Sequence, residues 1–329
     1  VSTPGGPRVV ALGGGHGLAA SLRALRLVTN HLTAIVTVGD DGGSSGRLRD
    51  ELGALPPGDL RMALAALAGD DERSQTWARL LQHRFSSRGP LDQHAVGNVI
   101  IAGLEQLAGE PVAALDLVRD LVSAAGRVFP LSTVPLDIVA DVVGLDSSDP
   151  GAVTEVRGQV AVATTTGHVV AVRLVPENPP ACAEAVRAVE EADWIVFGPG
   201  SWFTSVLPHL LVPELAKALS ATSARRLVAL NLAPQQGETS GFTPESHLEV
   251  LAAHAPDLTI DVVLADTSAV TQVGRLRDAA VACGGELVLA EVGVADGRPV
   301  HDPQRLAAAY ARIMNAHTTG LDEGEHVWR

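Results

Sequence analysis

A doubly wound parallel α/β sheet of the Rossmann-like type, with a large helical and β-hairpin insertion forming a cap, is the fold class that the sequence predicts. Three observations predict it. Short apolar, β-branched runs alternate with Ala/Leu-rich amphipathic segments, glycine-bearing turns close the runs, and one interruption is far too long for a crossover.

The elements follow in order. RVVAL (8–12), a helix-like LAASLRALRLV (18–28) and LTAIVTV (32–38) make a βαβ unit. The runs are apolar throughout, as parallel strands covered on both faces should be. The pattern resumes at DWIVFGPGS (193–201), RLVALNLA (226–233), LTIDVVLAD (258–266) and ELVLAEVGV (286–294), with helices expected at 213–221, 244–254 and 303–315. Between the second and third runs, 50–126 reads as helices, and LDIVADVVG (136–144), RGQVAVATT (157–165) and HVVAVRLVP (168–176) read as strands. The expected division is therefore a core of 1–49 and 181–315, an inserted cap of 50–180 lying over the ligand side, and a flexible tail of 316–329.

Composition narrows the function. A chain of 329 residues with 46% hydrophobic residues can bury a large core, and its net charge of −14 with no basic run argues against nucleic-acid or membrane-surface binding. Any anionic ligand must be held by local dipoles. Cys182 and Cys283 lack metal or redox spacing and are expected as buried free thiols within helices. Residues 1–12 have no signal-peptide pattern and no run reaches the length of a membrane span, so a soluble, cytoplasmic protein is expected.

In an open parallel sheet, ligands settle beyond the carboxyl ends of the strands. Four such ends carry ligand chemistry here. The first is Gly13, Gly14, Gly15, His16 and Gly17, directly before a helix, where backbone N–H groups and the helix dipole can cradle phosphate. Its third glycine is displaced from the GxGxxG fingerprint. His16 can donate to a phosphate or be a passive loop residue. The second end carries Asp40 and Asp41, which can engage ribose or sugar hydroxyls, hold magnesium beside a diphosphate, or simply form an Asx turn; Ser44 and Ser45 supply hydroxyls. Arg47 and Arg49 can meet phosphate, although local ion pairs with Asp50 and Glu51 are the preferred reading.

The third end, Gly198 to Ser205, offers Gly198, Gly200, Ser201 and Thr204 as a second anion-accepting turn or a plain helix cap; Trp202 within it is read as core. The fourth has Asn231 and the amide-rich Gln235-Gln236-Gly237-Glu238-Thr239, suited to reading a base edge or sugar hydroxyls. Asp59 reads as a helix N-cap with a further option as metal or sugar ligand. Asn98 reads as a polar amide on a helix over the site, needing either ligand or backbone as partner.

With these turns in view, the sequence resembles the gluconeogenesis factor family, the YvcK-like proteins, which are related to the phospholactate transferases of coenzyme F420 synthesis. The matching pieces are GGGHGL, IVTVGDDGGSSGRLRDELGALPPGDLRMALAALA, HAVGNVIIAGL, FGPGSWFTSVLPHLLV, QQGETSGF and HDPQRLAAAYARI, from about residue 8 to 315. The resemblance implies a cytoplasmic protein that binds UDP-sugars such as UDP-N-acetylglucosamine or UDP-glucose. It also implies a link to cell shape and peptidoglycan synthesis on gluconeogenic carbon sources, through cell-wall synthesis proteins and a Ser/Thr kinase as partners. Thr318 and Thr319 are candidate phosphorylation positions in a tail read as ordinary disordered chain end. The transferase cousins instead move a phospholactyl group with magnesium; their turn continues differently after Gly-Asp-Asp. His16 and NLAPQQGET depart from the usual family residues.

Three function classes follow. The leading one is a regulatory UDP-sugar binder without turnover, with a homo-oligomer open as an option. The enzymatic alternative is a magnesium-dependent phosphotransferase with Asp40 or Asp41 as metal ligand. A nicotinamide-dependent dehydrogenase rests on fold analogy alone, and neither a GxSxG motif nor a cysteine-histidine pair supports nucleophilic catalysis.

Overall fold

Val9 to Leu12 and Ala34 to Val36 are almost wholly buried, the condition that parallel strands sandwiched between helices impose. The computed structural model describes residues 5–235, 238–239 and 241–318. β1 (Arg8–Gly13), α1 (Gly15–Leu25) and β2 (His31–Val36) form the expected βαβ unit, with Arg8 opposite His31. The chain continues through α2 (Gly43–Leu52), α3 (Gly58–Leu67), α4 (Glu72–Gln82), α5 (Val96–Ala108) and α6 (Pro111–Leu121) to β3 (Arg127–Pro130).

β3 pairs in parallel with β2. The helical stretch is therefore a long crossover within the main sheet, and four residues ending in proline were too short a run to betray the edge strand. β4 (Asp137–Val143), β5 (Thr154–Arg157), α7 (Gln159–Ala163) and β6 (His168–Val175) then build a separate antiparallel sheet ordered β5-β4-β6. The strand expected at 157–165 is mostly α7. Gly158, at φ +103°, ends the strand, and Asp41 accepts the Val160 N–H at 3.0 Å to seat the helix.

After α8 (Ala183–Glu190) the chain returns to the main sheet as β7 (Trp194–Phe197), followed by a π-helical turn (Trp202–Val206), a 3₁₀ turn (Leu207–Leu210) and α9 (Pro213–Ala221). It ends with β8 (Arg225–Ala229), α10 (Pro244–His254), β9 (Val262–Asp266), α11 (Val273–Ala282), β10 (Glu286–Ala290) and α12 (Pro303–Thr318). Residues 316–318, expected as tail, continue α12; Thr319 and the residues beyond it lie outside the described residues. Cys182 is buried at the start of α8, where burial pushes its thiol up to about 11, but Cys283 is only half-buried, at the end of α11.

Among the described residues the main sheet runs β10-β9-β8-β7-β1-β2-β3, all parallel. α1 packs with α3 and α12, while α8 packs with α9 and α10 with α11. No helix among the described residues is long and apolar enough to cross a membrane. Strand order reverses between β1 and β7, so the turns after these two strands diverge at a switch point.

A buried histidine fixes that point from below. His209 Nε2 lies 2.9 Å from the Ile35 carbonyl of β2 and Nδ1 lies 3.1 Å from the Val206 carbonyl of the π-helical turn. A neutral imidazole has one N–H, so only one carbonyl receives a hydrogen bond. Burial holds the ring down at about 4, hence neutral in the folded protein. An unfolded histidine takes up its proton near 6.5, so this group's contribution is present above that pH and is lost as pH falls toward 4. Urea unfolding should therefore show a loss of up to about 3 kcal/mol from His209 between pH 7 and 4, and a His209→Gln variant should have a correspondingly flatter acid slope.

Candidate functional site

The two glycine turns at the switch point touch backbone to backbone. A Cβ at Gly17 would overlap the Pro199 carbonyl oxygen and lie 2.5 Å from Gly200 Cα, so only glycine permits this approach. The second turn is held in shape by Asn231 at the end of β8. Its Oδ1 accepts the Gly200 N–H at 2.9 Å and its Nδ2 donates to the Gly200 carbonyl at 2.8 Å. His16, Gly17, Gly200 and Asn231 line one cavity of about 260 Å³, together with Leu232 to Gln235 and Pro299 to His301. Four residues singled out from separate strand ends thus share a hollow.

The remaining residues of the second turn face inward. Thr204 donates its hydroxyl to Glu238, the Phe203 N–H lies 3.3 Å from the same carboxyl group, and Ser201 bonds to it as well. Burial raises the Glu238 carboxyl above the usual range. Ser201 and Thr204 therefore hold the π-helical turn through a residue whose bonding role the sequence did not show. Gln236 and Gly237 lie outside the described residues. Trp202 is core, edge-on to His247 with ring centroids 5.2 Å apart.

On its other side the first turn meets an acidic cleft. Asp59 does not cap α3, whose N-cap is Pro57; its carboxyl group instead accepts the Gly15 N–H. A Cβ at Gly14 would stand 2.5 Å from Asp59 Oδ2, and one at Gly58 would stand 2.6 Å from Asp40 Oδ2 and overlap Ser45 Oγ. Asp40, Asp59 and Ser45 thus crowd the floor beneath Gly14 and Gly15. Asp59 is only partly shielded in accessible area, yet its carboxyl group is enclosed by protein, and this desolvation, with Asp40 second, raises it to about 7.

Asp40 and Asp41 do not work as a pair. Asp40 closes an Asx turn on the Gly42 N–H at 3.0 Å and faces Asp59, whereas Asp41 turns outward to α7. Among the described residues no group of three or more His, Cys, Asp or Glu side chains could hold a metal ion. Asp40 and Asp59 could supply two oxygen ligands, and a bound phosphate the others.

Behind the carboxylates lies a buried polar network. Arg61 donates to Asn98 Oδ1 at 2.7 Å and to Gln82, and Asn98 Nδ2 donates to Ser44 Oγ at 3.1 Å and Ser45 Oγ at 3.3 Å. Ser44 Oγ also meets His94 Nδ1 at 3.0 Å and accepts the Ala95 N–H at 3.2 Å. Ser44 and Asn98 accordingly belong to the support of the site. Arg61, missed in the sequence reading, is the one buried cation beside the two carboxylates among the described residues; burial lowers it to about 10 while Asp59 and Asp40 counteract. Arg47 and Arg49 do not pair with Asp50 and Glu51. Arg47 donates to the carbonyls of Pro90 and Asp92, and Arg49 to the Leu136 carbonyl and the Asp137 carboxylate.

Fold and glycine turns define a Rossmann-like α/β protein with its crevice at the β1/β7 switch. More particularly, the chain belongs to the family described as "2-phospho-L-lactate transferase CofD", whose model matches residues 9–286. It is 53% identical over 318 residues to a Mycobacterium tuberculosis protein named "Putative gluconeogenesis factor", covering 96% of this chain and 92% of the relative. It is 39% identical over 264 residues to the "Gluconeogenesis factor" of Listeria monocytogenes, covering 80% and 79%. The crystal structure of a member of the UPF0052 family from Bacillus halodurans superposes with a TM-score of 0.82 at 31% identity, covering 92% of this chain and 97% of that one.

Two outcomes follow. Gly17→Ala should cost at least about 2 kcal/mol of unfolding free energy, because backbone atoms on both sides must shift, and denaturant titration checks it. Asp59 keeps its proton in the folded state while the unfolded chain has lost it, so its contribution is favourable at low pH and is lost as pH rises from about 4 through 7. Asp59→Asn should therefore be more stable than the native chain by up to about 4 kcal/mol at pH 8 and nearly equal to it at pH 4.

Proposed function

We propose that this protein is a cytoplasmic regulatory binder of a UDP-sugar, UDP-N-acetylglucosamine or UDP-glucose, acting in the control of cell shape and peptidoglycan synthesis during gluconeogenic growth. The observation that carries the reading is the meeting of Gly17 with Pro199 and Gly200 beside the cavity lined by His16 and Asn231. An acidic protein must bind a diphosphate through dipoles, and the N-terminus of α1 opens on this turn. One end of the ligand occupies the cavity, the diphosphate rests on Gly13 to Gly17, and the sugar hydroxyls reach Asp40. The gluconeogenesis-factor names of the relatives support a regulatory role. Cell-wall synthesis proteins and a Ser/Thr kinase are the partners in this reading.

A second reading, a magnesium-dependent phosphotransferase, is favoured by the facing of Asp40 and Asp59 beneath Gly15 and by the family model's description. Asp40 and Asp59 would hold the ion, which would neutralise charge on transferring phosphate oxygens. Arg61, held by Asn98 and Gln82, supplies counter-charge beside the two carboxylates.

Calorimetry with UDP-N-acetylglucosamine, UDP-glucose, GDP and NAD, with and without magnesium, followed by product analysis of each mixture, separates these readings. The binder reading expects heat from UDP-sugars, no product over hours, and about tenfold or greater weakening in Asp40→Ala. Heat from NAD alone would overturn both readings, and metal-dependent turnover of a nucleotide donor would select the second.

A further inference from the structure

The cavity beside the glycine turns combines two kinds of lining. One part is the backbone of Gly17 and Gly200 at the start of α1; the other is walled by Leu232, Pro234, Pro299 and Val300. No Asp, Glu, Lys or Arg is among the described residues that line it. Apolar walls with a few convergent polar groups suit a flat ring better than a sugar, which carries hydroxyls on every edge.

The polar side chains of the lining are His16, Asn231, Gln235 and His301, and they are not equally free. His16 is exposed in the first turn of α1, on the phosphate side. Asn231 spends both ends of its amide on Gly200. Gln235 is pinned by its backbone, whose N–H donates to Thr239 Oγ1 at 2.7 Å and whose carbonyl accepts the Thr239 N–H at 3.0 Å. Its side-chain Oε1, by contrast, is buried with no hydrogen-bond partner among the described residues. A buried acceptor left unmade gains from any donor that enters.

His301 supplies a second acceptor. It is buried where the chain bridges back to Gly293, and one ring nitrogen donates to the Leu230 carbonyl. Burial holds the imidazole below its ordinary range although the Asp266 carboxylate opposes this, so at neutral pH the other ring nitrogen carries a lone pair. Asp266 is itself filled by the N–H and hydroxyl of Ser268 and by the N–H groups of Val292 and Gly293. The cavity is therefore short of a donor.

We propose that this cavity is a uracil pocket in which Gln235 and His301 read the ring N–H of the base. The inference rests on the UDP-sugar reading above and adds which end of the ligand enters the cavity and what selects it. Uracil carries that N–H between two carbonyls on its outer edge. Cytosine has a bare ring nitrogen at the same place, which sets acceptor against acceptor.

Calorimetry of the full chain with UDP, CDP and N3-methyl-UDP tests this. UDP should bind at least about tenfold more tightly than the other two, which keep the diphosphate but lack the ring N–H. Gln235→Leu and His301→Phe, with unchanged circular dichroism spectra, should each weaken UDP binding about tenfold and bring UDP and CDP closer together. Equal binding of all three to the native chain overturns the inference and leaves the UDP-sugar reading standing. A preference for UDP that persists unchanged in both variants also overturns it, because the base is then read elsewhere. Absence of heat from both UDP and UDP-N-acetylglucosamine overturns that reading and this inference together.

Discussion

The contact between Gly17 and the Pro199–Gly200 backbone is the constraint on which the rest of the site depends. It sets how closely the turns after β1 and β7 stand at the switch point, and so fixes both the cavity on one side and the carboxylate cleft on the other. Side chains then secure what the glycines allow. Asn231 clamps Gly200 from β8, Glu238 gathers the hydroxyls and N–H groups of the π-helical turn, and the His209 ring sits between the carbonyls of Val206 in that turn and Ile35 in β2, donating to one of them. Each uses hydrogen bonds inside the protein to hold backbone whose own groups face the crevice.

Electrostatics divide the crevice unequally. The α1 N-terminus offers partial positive charge, while Asp40 and Asp59 sit just beneath with Arg61 as counter-charge. Desolvation lifts Asp59 to about 7, so at neutral pH roughly half of it is protonated and it accepts the Gly15 N–H while presenting less than a full negative charge to a phosphate. A bound cation would reverse that balance by favouring the ionised carboxylate. Under the two proposed readings the cleft would take an anionic ligand alone or one accompanied by a metal, which is why turnover rather than affinity separates them.

The GDDGGSSGRLR segment serves as a strut as much as a ligand surface. Asp41 seats α7, Arg49 reaches Leu136 and Asp137 at the start of β4, and Arg47 fastens the 90–92 loop. Asp137 is itself paired with Arg157 of β5 and held below the usual carboxylate range despite its burial. One short helix after β2 therefore anchors the antiparallel sheet beside the crevice, and residues chosen for ligand chemistry carry tertiary contacts instead.

The sequence by itself determined the parallel sheet, the βαβ start, the helices at 213–221 and 244–254, and the glycine turns at the strand ends, because periodicity and turn chemistry report what each segment buries locally. His16, Gly17, Gly200 and Asn231 could be singled out for the same reason, since a strand end followed by glycine marks a crevice in this topology. Tertiary structure alone decided which way the polar side chains turn. Nothing near Asp59 in the chain says that it will meet Gly15, and nothing near Ser44 announces His94 fifty residues on. The separation of Asp40 from Asp41 depends on α7, more than a hundred residues later, and α7 and β3 were themselves too short for periodicity to distinguish. Local pattern fixes which face is buried; the partner of a buried polar group is fixed by what the fold brings across from elsewhere.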